Sequence, residues 1–313
     1  MHRGRRVKGF ILAAGFGERL RPVTDLFPKP LVPVANLPSI CYALSLLAGA
    51  GITSVIVNLH YRPDAIREYF RENRDFGLDV TFSYEPEILG TGGGVMKCRR
   101  MIGDDDFVLL NSDVIMNLDL AGLVRRHRAC SSPGTVVLYG TDDAASIGQA
   151  GIRDGRVVDF KNFLGTGVAS GLIYTGAAVL SPAVFSYLEE GFSSIVYTGY
   201  TGLITNERLD YFKHDGLWLD IGTVASLRMA SLRAVKAGVT REAAAVFGLE
   251  AAAIAAGAHI GEGVVVRDSV IGAGCSVGAG SEIVESVLLP GSRVEDGARI
   301  SGAVVLGGEV LKA

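Results

Sequence analysis

Cysteine is scarce and scattered. Cys41, Cys98, Cys130 and Cys275 are the only four in 313 residues and form no C-x-x-C pair, which excludes a disulfide framework and a cysteine zinc site and points to a reducing cytoplasm. The five histidines (His2, His60, His127, His214, His259) make no H-x-x-x-H spacing and no triad, so none is assigned a catalytic role. An excess of one charge is missing too. Thirty Lys plus Arg stand against 33 Asp plus Glu, a formal charge of −3, which argues against a protein built to hold nucleic acid or an anionic membrane. No apolar run reaches the ~18–20 residues of a bilayer span, and Val7 to Ala14 leads directly into a glycine loop. The basic start (His2, Arg3, Arg5, Arg6, then Lys8) lacks the apolar core and cleavage site of a secretory signal, so residues 1–6 read as a solvated tail.

Glycine is the residue in surplus: 41 positions, about 13% against the usual ~7%. With 49% hydrophobic residues the chain can bury a large core, and its length suits two domains. From Val7 to Tyr139, Val/Ile/Leu-rich runs (Val7–Ala13, Ser54–Asn58, Val80–Tyr84, Phe107–Asn111, Thr135–Tyr139) alternate with helical patterns (Ser39–Gly49, Pro63–Asn73, Gly94–Met101, Leu118–Ala129). That alternation predicts an α/β fold with a mostly parallel sheet covered on both faces. The loops Ala14–Arg21, Glu85–Gly93 and Ser112–Asn117 all follow strands and therefore gather at one sheet edge. Strand signals at Arg156–Phe160 and Gly171–Leu180 and a helix signal at Pro182–Leu188 fill 140–222, and an Ala-rich helical stretch runs over Val224–Ala256.

From Ala258 the pattern changes to IGEGVV, IGAGCS, VGAGSE, LLPGSR and VEDGAR, an aliphatic residue opening each unit and glycine at its fourth position. Such hexapeptides predict a short left-handed parallel β-helix, aliphatics inward and glycines at the corners. Its exposed ends point to docking on the catalytic domain or on another subunit, so a homo-oligomer is expected. The expected division is a basic tail 1–6, a catalytic domain 7–223, a helical linker 224–257 and the β-helix 258–313.

Chemistry concentrates in LAAGFGERLRPVTDLFPKPLVPV, Leu12 to Val34. Gly15 and Gly17 let the backbone turn and bring N–H groups near phosphate oxygens. Arg19 and Arg21 add positive charge, and Lys29 sits between two prolines that restrict it. Pre-set cations are what polyphosphate chemistry needs, since charge builds on the transferred phosphorus and on departing pyrophosphate. The stretch is neither G-x-x-x-x-G-K-[ST] nor G-x-G-x-x-G, so the P-loop and dinucleotide readings fail. Asp113, after a buried strand, is a natural hard-oxygen ligand for Mg²⁺, although such an aspartate taken alone also reads as an ordinary loop or capping residue. The run Asp104, Asp105, Asp106 reads as a solvated turn.

Leu12–Val34 resembles the signature of sugar-1-phosphate nucleotidylyltransferases, most of all the bacterial mannose-1-phosphate guanylyltransferase type. The resemblance extends through NLHYRPDAI (58–66), EILGTGGG (87–94), NSD (111–113), YTGAAVLSP (174–182), GFSSI (191–195) and WLDIGT (218–223). It implies a Rossmann-like catalytic domain that joins an NTP to a sugar 1-phosphate and releases pyrophosphate. Arg19, Lys29 and Asp113 would be catalytic, and Asp220 would join Asp113 on Mg²⁺. Leu12, Ala13, Ala14, Gly15, Gly17, Glu85, Gly90, Thr91 and Gly92 would bind the nucleotide. Glu85 stands where relatives read the base; a carboxylate only accepts hydrogen bonds, and guanine offers two adjacent donors. Glu85 is alternatively a strand-end surface residue. Gly148, Lys161, Asn162, Thr175 and Gly176 would line the sugar-phosphate site, although the acid that relatives carry before Lys161 is missing, which leaves a surface lysine as the other reading. The implied substrates are GTP with mannose 1-phosphate or a manno-heptose 1-phosphate. UTP with an amino-sugar 1-phosphate is the alternative, and a non-catalytic regulatory subunit or an acyltransferase tail are rivals from other classes. No nucleic acid or membrane partner is expected.

Overall fold

The computed structural model describes residues 6–130 and 132–313; the remainder of the expected basic tail lies outside them. Lys8 is anchored, while Arg6 stays exposed and is held through its backbone. Arg6 N–H donates to Asp105 Oδ1 at 3.2 Å, and Lys8 Nζ reaches Met101 O at 2.7 Å and pairs with Asp105 at 3.4 Å. The expected solvated turn is likewise half interior, for Asp106 is fully buried.

The chain divides into two compact units. One comprises 1–15, 46–112 and 117–218; the other comprises 16–45, 113–116 and 219–313. It passes between them inside three of the quoted motifs, at Gly15–Phe16, Ser112–Asp113 and Trp218–Leu219.

The first unit is built on a nine-stranded sheet. Its strands are β1 (Val7–Leu12), β2 (Ser54–Leu59), β3 (Asp79–Tyr84), β4 (Asp106–Asn111), β5 (Gly134–Gly140), β6 (Gln149–Arg153), β7 (Arg156–Phe160), β8 (Leu172–Leu180) and β9 (Leu209–His214). The order runs β7-β6-β8-β4-β1-β2-β3, with β5 pairing β8 and β9 pairing β5. Strands β4, β1, β2 and β3 are parallel neighbours, whereas β8 runs antiparallel to β4, β5 and β6. β1, β2 and β4 are rich in aliphatic residues and mostly buried, whereas β3 alternates toward solvent, and Phe10, Ile56, Phe107, Leu109, Val136 and Leu138 are all buried in one core. At 25 cal/mol per Å², each such side chain contributes about 1.5–3 kcal/mol on burial.

Helix Ser39–Gly49 lies as the pattern predicts, and Pro63–Glu72 starts on its proline and buries Ile66 and Phe70 while its charges face out. The helix over 120–129 begins two residues later than predicted because Asp119 caps it, accepting Gly122 N–H at 2.8 Å. The helix predicted over Gly94–Met101 instead spans Gly90–Lys97, breaks at Cys98 and resumes over Arg99–Ile102. Its glycine-rich start has low helix propensity, and tertiary contacts described below override that. Strands β6 and β9 and the helical turns over Val196–Asn206 were not marked by the pattern.

In the second unit the expected helical stretch is two helices, Val224–Lys236 and Val239–Ala245, broken at Gly238, which is left-handed. The hexapeptides form three sheets of parallel strands, one per prism face. Each coil takes 17 residues (His259 to Ser276 to Arg293). One corner per coil is a single left-handed residue, successively Asp268, Glu285 and Gly302. Ile271, Cys275, Val277, Ile283, Leu288 and Val294 fill the interior. The last strand, Glu309–Lys312, folds back antiparallel on Ala303–Leu306. Asn36 Nδ2 ties segment 16–45 to the first coil through Ala252 O (2.8 Å) and Ile271 O (3.0 Å).

Candidate active site

In the second unit the glycine loop is held by its own carbonyls. Gly17 is left-handed, and its C=O accepts Leu20 N–H at 3.0 Å and Thr24 Oγ1 at 2.9 Å. Arg19 follows on a single helical turn and is exposed. Lys29 opens another single turn between Pro28 and Pro30, and Ser39 Oγ donates to the carbonyls of Lys29 and Pro30, each at 3.1 Å. Thus pinned, Lys29 Nζ forms an ion pair with Asp113 Oδ2. Asp113 precedes the short strand Val114–Met116, which pairs with Trp218–Asp220. Ile221 N–H donates to Asp113 O at 3.2 Å, and Gly222 N–H to Asp220 Oδ2 at 3.1 Å. Two aspartates more than a hundred positions apart in sequence are thereby set on adjacent strand ends. Arg19 closes the group: a Cβ on Gly222 would lie 3.0 Å from Arg19 Nη2 and 2.9 Å from Asp220 Oδ2.

Among the described residues no three His, Cys, Asp or Glu side chains converge on a metal position. A divalent ion here would have two carboxylates and otherwise water or ligand oxygens, which suits Mg²⁺ and not zinc.

In the first unit, Ala13 and Ala14 end β1 buried, and Gly15 is exposed with open space where a Cβ would stand. Ala13 N–H donates to Asn58 Oδ1 at 2.7 Å. Asn58 Nδ2 donates to Glu85 Oε1 at 2.7 Å, and Leu89 N–H to Glu85 Oε2 at 3.0 Å. Glu85 is 0% exposed, so the surface reading fails, and its carboxylate faces Asn58 and Leu89 rather than solvent. The glycines after it are also committed. Gly92 N–H donates to Ser193 O at 2.8 Å, Ser193 N–H to Leu89 O at 3.0 Å and Ile195 N–H to Thr91 Oγ1 at 2.9 Å. A Cβ on Gly93 would stand 1.8 Å from Gly191 O, and one on Gly90 2.5 Å from Ser193 O. The close approach these glycines permit is to the GFSSI segment.

A cavity of about 290 Å³ is lined by Ile147, Gly148, Phe160, Lys161, Tyr174 and Tyr197, among others. Lys161 is left-handed, and its stem lies across Gly148, where a Cβ would meet Lys161 Cε at 2.2 Å. Tyr174 and Tyr200 hydroxyls pair at 2.8 Å, and burial raises the pKa of both phenols, so both remain neutral. A wider groove of about 800 Å³, with Lys97, Arg99, Arg100, Asp104 and Glu190 on its walls, takes Leu89, Gly93 and Gly191 from the motifs.

Residues 8–236 match the nucleotidyl transferase family model, and 237–311 the GlmU-like C-terminal hexapeptide model. The chain belongs to the nucleotidyl transferase family. Similar proteins include mannose-1-phosphate guanyltransferase 2 of Candida glabrata (32% identical, 69% of this chain, 61% of that protein) and mannose-1-phosphate guanyltransferase of Saccharomyces cerevisiae (33%, 69% and 61%). The chain thus spans about three fifths of the length of these relatives. Among solved structures, a Bacillus anthracis protein assigned as a glucose-1-phosphate thymidylyltransferase, in complex with sucrose, aligns with TM-score 0.67 at 26% identity, covering 73% of this chain and 95% of that one. HddC from Yersinia pseudotuberculosis, complexed with GMP-PN, aligns at TM-score 0.59 and 23% identity over 72% of this chain and 98% of its own, a likeness of fold alone.

Within this nucleotidyl transferase, Arg19, Lys29, Asp113 and Asp220 share one unit, and Gly148 and Lys161 share one cavity. The other three expected sugar-site residues are not among those that line this cavity. Thr175 is 1% exposed and its Oγ1 donates to Val137 O at 3.0 Å. Gly176 sits in the bulge of β8 against Asn111. Asn162 Oδ1 accepts Gly167 N–H at 2.8 Å and shapes an exposed turn. Sequence reasoning passed over Thr24, Ser39 and Asn58. The readable signal was there for Asn58 alone, an amide near the end of the aliphatic strand SVIVNL.

Proposed function

We propose that this nucleotidyl transferase moves a nucleoside monophosphate from an NTP to a sugar 1-phosphate. A phosphate oxygen of the sugar attacks the α-phosphorus, the bond from that phosphorus to the bridging oxygen breaks, and pyrophosphate leaves with the electron pair. No covalent enzyme intermediate is needed, so positioning and charge neutralisation carry the catalysis. The observation that supports this most is the grouping of Lys29 with Asp113 and of Arg19 with Asp220 beside the glycine loop.

Gly15 and Gly17 offer backbone N–H groups to the triphosphate, and Arg19 neutralises the departing pyrophosphate. Lys29 bridges the reacting phosphates, held to that line by its prolines and by Ser39. Asp113 and Asp220 would hold Mg²⁺, which supplies further charge neutralisation on the phosphate oxygens when bound. Residues 85–92 take the base side, and Lys161, braced on Gly148, meets the phosphate of the sugar 1-phosphate. The names of the relatives favour GTP and mannose 1-phosphate, with a manno-heptose 1-phosphate next.

Pyrophosphate release with Mg²⁺, across GTP, UTP, dTTP, CTP and ATP each paired with a panel of sugar 1-phosphates, tests the reading. GTP with mannose 1-phosphate is expected to give the highest kcat/KM. A UTP and amino-sugar pair would move the specificity, and no release from folded protein with any pair would overturn the reading in favour of a regulatory subunit.

A further inference from the structure

Two buried polar side chains beside the nucleotide loops bond to other protein groups. Asn58 is 1% exposed, and Glu85, which follows β3, is 0% exposed. Together they form a continuous bridge: Ala13 N–H to Asn58 Oδ1, Asn58 Nδ2 to Glu85 Oε1, and Leu89 N–H to Glu85 Oε2, at 2.7, 2.7 and 3.0 Å. The orientation of the amide is dictated, since a backbone N–H only donates and a carboxylate only accepts. Backbone bonds fix the same corner, with Glu85 N–H on Leu59 O at 2.7 Å and Glu85 O facing His60 Nδ1 at 2.8 Å. The helix behind is shaped to the bridge as well. A Cβ on Gly94 would stand 2.8 Å from Glu85 Oε1 and 2.9 Å from Asn58 Nδ2.

A buried carboxylate is costly unless its hydrogen bonds are made. Here they run to two places: through Asn58 to the start of the glycine loop, and directly to Leu89, the residue before the glycine-rich helix. We propose that Asn58 and Glu85 are positioning residues that set the start of the glycine loop against the base-side loop. Glu85 thereby governs affinity for every NTP alike and does not read the base. This rests on the reading that residues 12–17 and 85–92 hold an NTP, and it replaces the base contact that the family resemblance implies for Glu85.

Glu85→Gln keeps the shape of the side chain but sets an amide donor against either Asn58 Nδ2 or Leu89 N–H. Gly94→Ala deletes no polar partner and favours helix, yet wedges the bridge. Calorimetry with GTP, UTP and dTTP on the full chain and both variants is expected to show all three affinities falling by one common factor, about ten- to a hundredfold, with their ratios unchanged. Hydrogen exchange in the same proteins, without nucleotide, is expected to speed at Ala13, which neither substitution touches, while the core of β1 and β4 stays protected. A changed GTP-to-UTP ratio in Glu85→Gln would make Glu85 the base reader and overturn the proposal. Unchanged affinities, or unchanged exchange at Ala13, would overturn it equally. Wild-type protein that binds none of the three would sink the NTP reading itself, and the proposal with it, whatever the exchange at Ala13.

Discussion

At the scale of single residues, Lys29 and Asp113 are the pair whose loss is expected to separate chemistry from stability. Each side chain keeps about a fifth of its surface in water, so a charge left behind by either substitution can still be hydrated, and its cost stays nearer the ~1 kcal/mol of an exposed pair than the ~3–5 kcal/mol of a fully buried one. Asp113→Asn and Lys29→Met are therefore expected to leave the melting temperature within a few degrees and to lower kcat about a hundred- to a thousandfold, the range for removing a group that meets charge developing in the transition state. Steady-state pyrophosphate release beside a thermal melt checks this, and a near-normal kcat in either variant would remove that residue from the mechanism. Arg19 and Lys29 stood out in the sequence as cations on a loop after an aliphatic strand, whereas Asp113 and Asp220 were joined only through the family resemblance, since each aspartate alone has ordinary structural uses; the fold sets all four in one unit. Asn58, Ser39 and Thr24 did not stand out. Their work is to hold other residues' backbone groups, and their partners are known only once the chain is folded. Glu85 was open to a surface reading for a related reason: the end of a strand does not reveal whether a helix covers it.

At the scale of elements, the glycines divide by what stands beside them, which the sequence could not tell. Gly93→Ala is expected to force the helix Gly90–Lys97 off the 191–195 segment and to destabilise by about 1–3 kcal/mol, seen as a lower denaturation midpoint. Gly15→Ala meets nothing within 4 Å and is expected to leave stability unchanged while raising KM for the NTP, because its methyl group stands where phosphate oxygens approach. A Gly15→Ala variant with unaltered KM would place the triphosphate elsewhere. The turn after β7 carries a pH dependence. Burial pushes the Asp159 carboxyl up, but N–H groups of Leu164, Thr166 and Phe160 and the Thr166 hydroxyl outweigh it and hold the pKa below the ordinary 3.8. A folded pKa below the unfolded one gives stabilisation that is complete above the unfolded value and is lost as pH falls through the folded one. Protection of amides 164–166 is thus expected to be full at pH 6 and to drop below pH 4, and Asp159→Asn should flatten that profile. The regular elements were legible where hydrophobic period and caps agreed, as over Ser39–Gly49. They were missed where long-range pairing decides, as in β6 and β9.

At the scale of the molecule, the hexapeptide pattern was read correctly as parallel strands around an aliphatic interior, but its 17-residue coil was hidden because the third unit of each coil departs from the six-residue pattern. What the β-helix does follows from its neighbours. It belongs to the same compact unit as loop 16–45, Asp113 and Asp220, and helix Val224–Lys236, whose Thr223 cap follows Asp220 by three positions, packs on it. Buried residues of that helix, Leu227, Ala230 and Ala234, sit in this unit's interior. Removing residues 258–313 is therefore expected to do more than alter assembly, exposing apolar surface beside the element that carries Asp220. The truncated chain should melt well below the full one and lose most of its pyrophosphate release, although the deleted residues include none of the side chains assigned to the transfer. His259 is exposed on the first coil, and His259→Ala in the full chain should change nothing. A truncated protein that keeps full turnover and melting temperature would make the β-helix an independent module, while loss of activity in His259→Ala would return that histidine, and with it acyl transfer, to consideration.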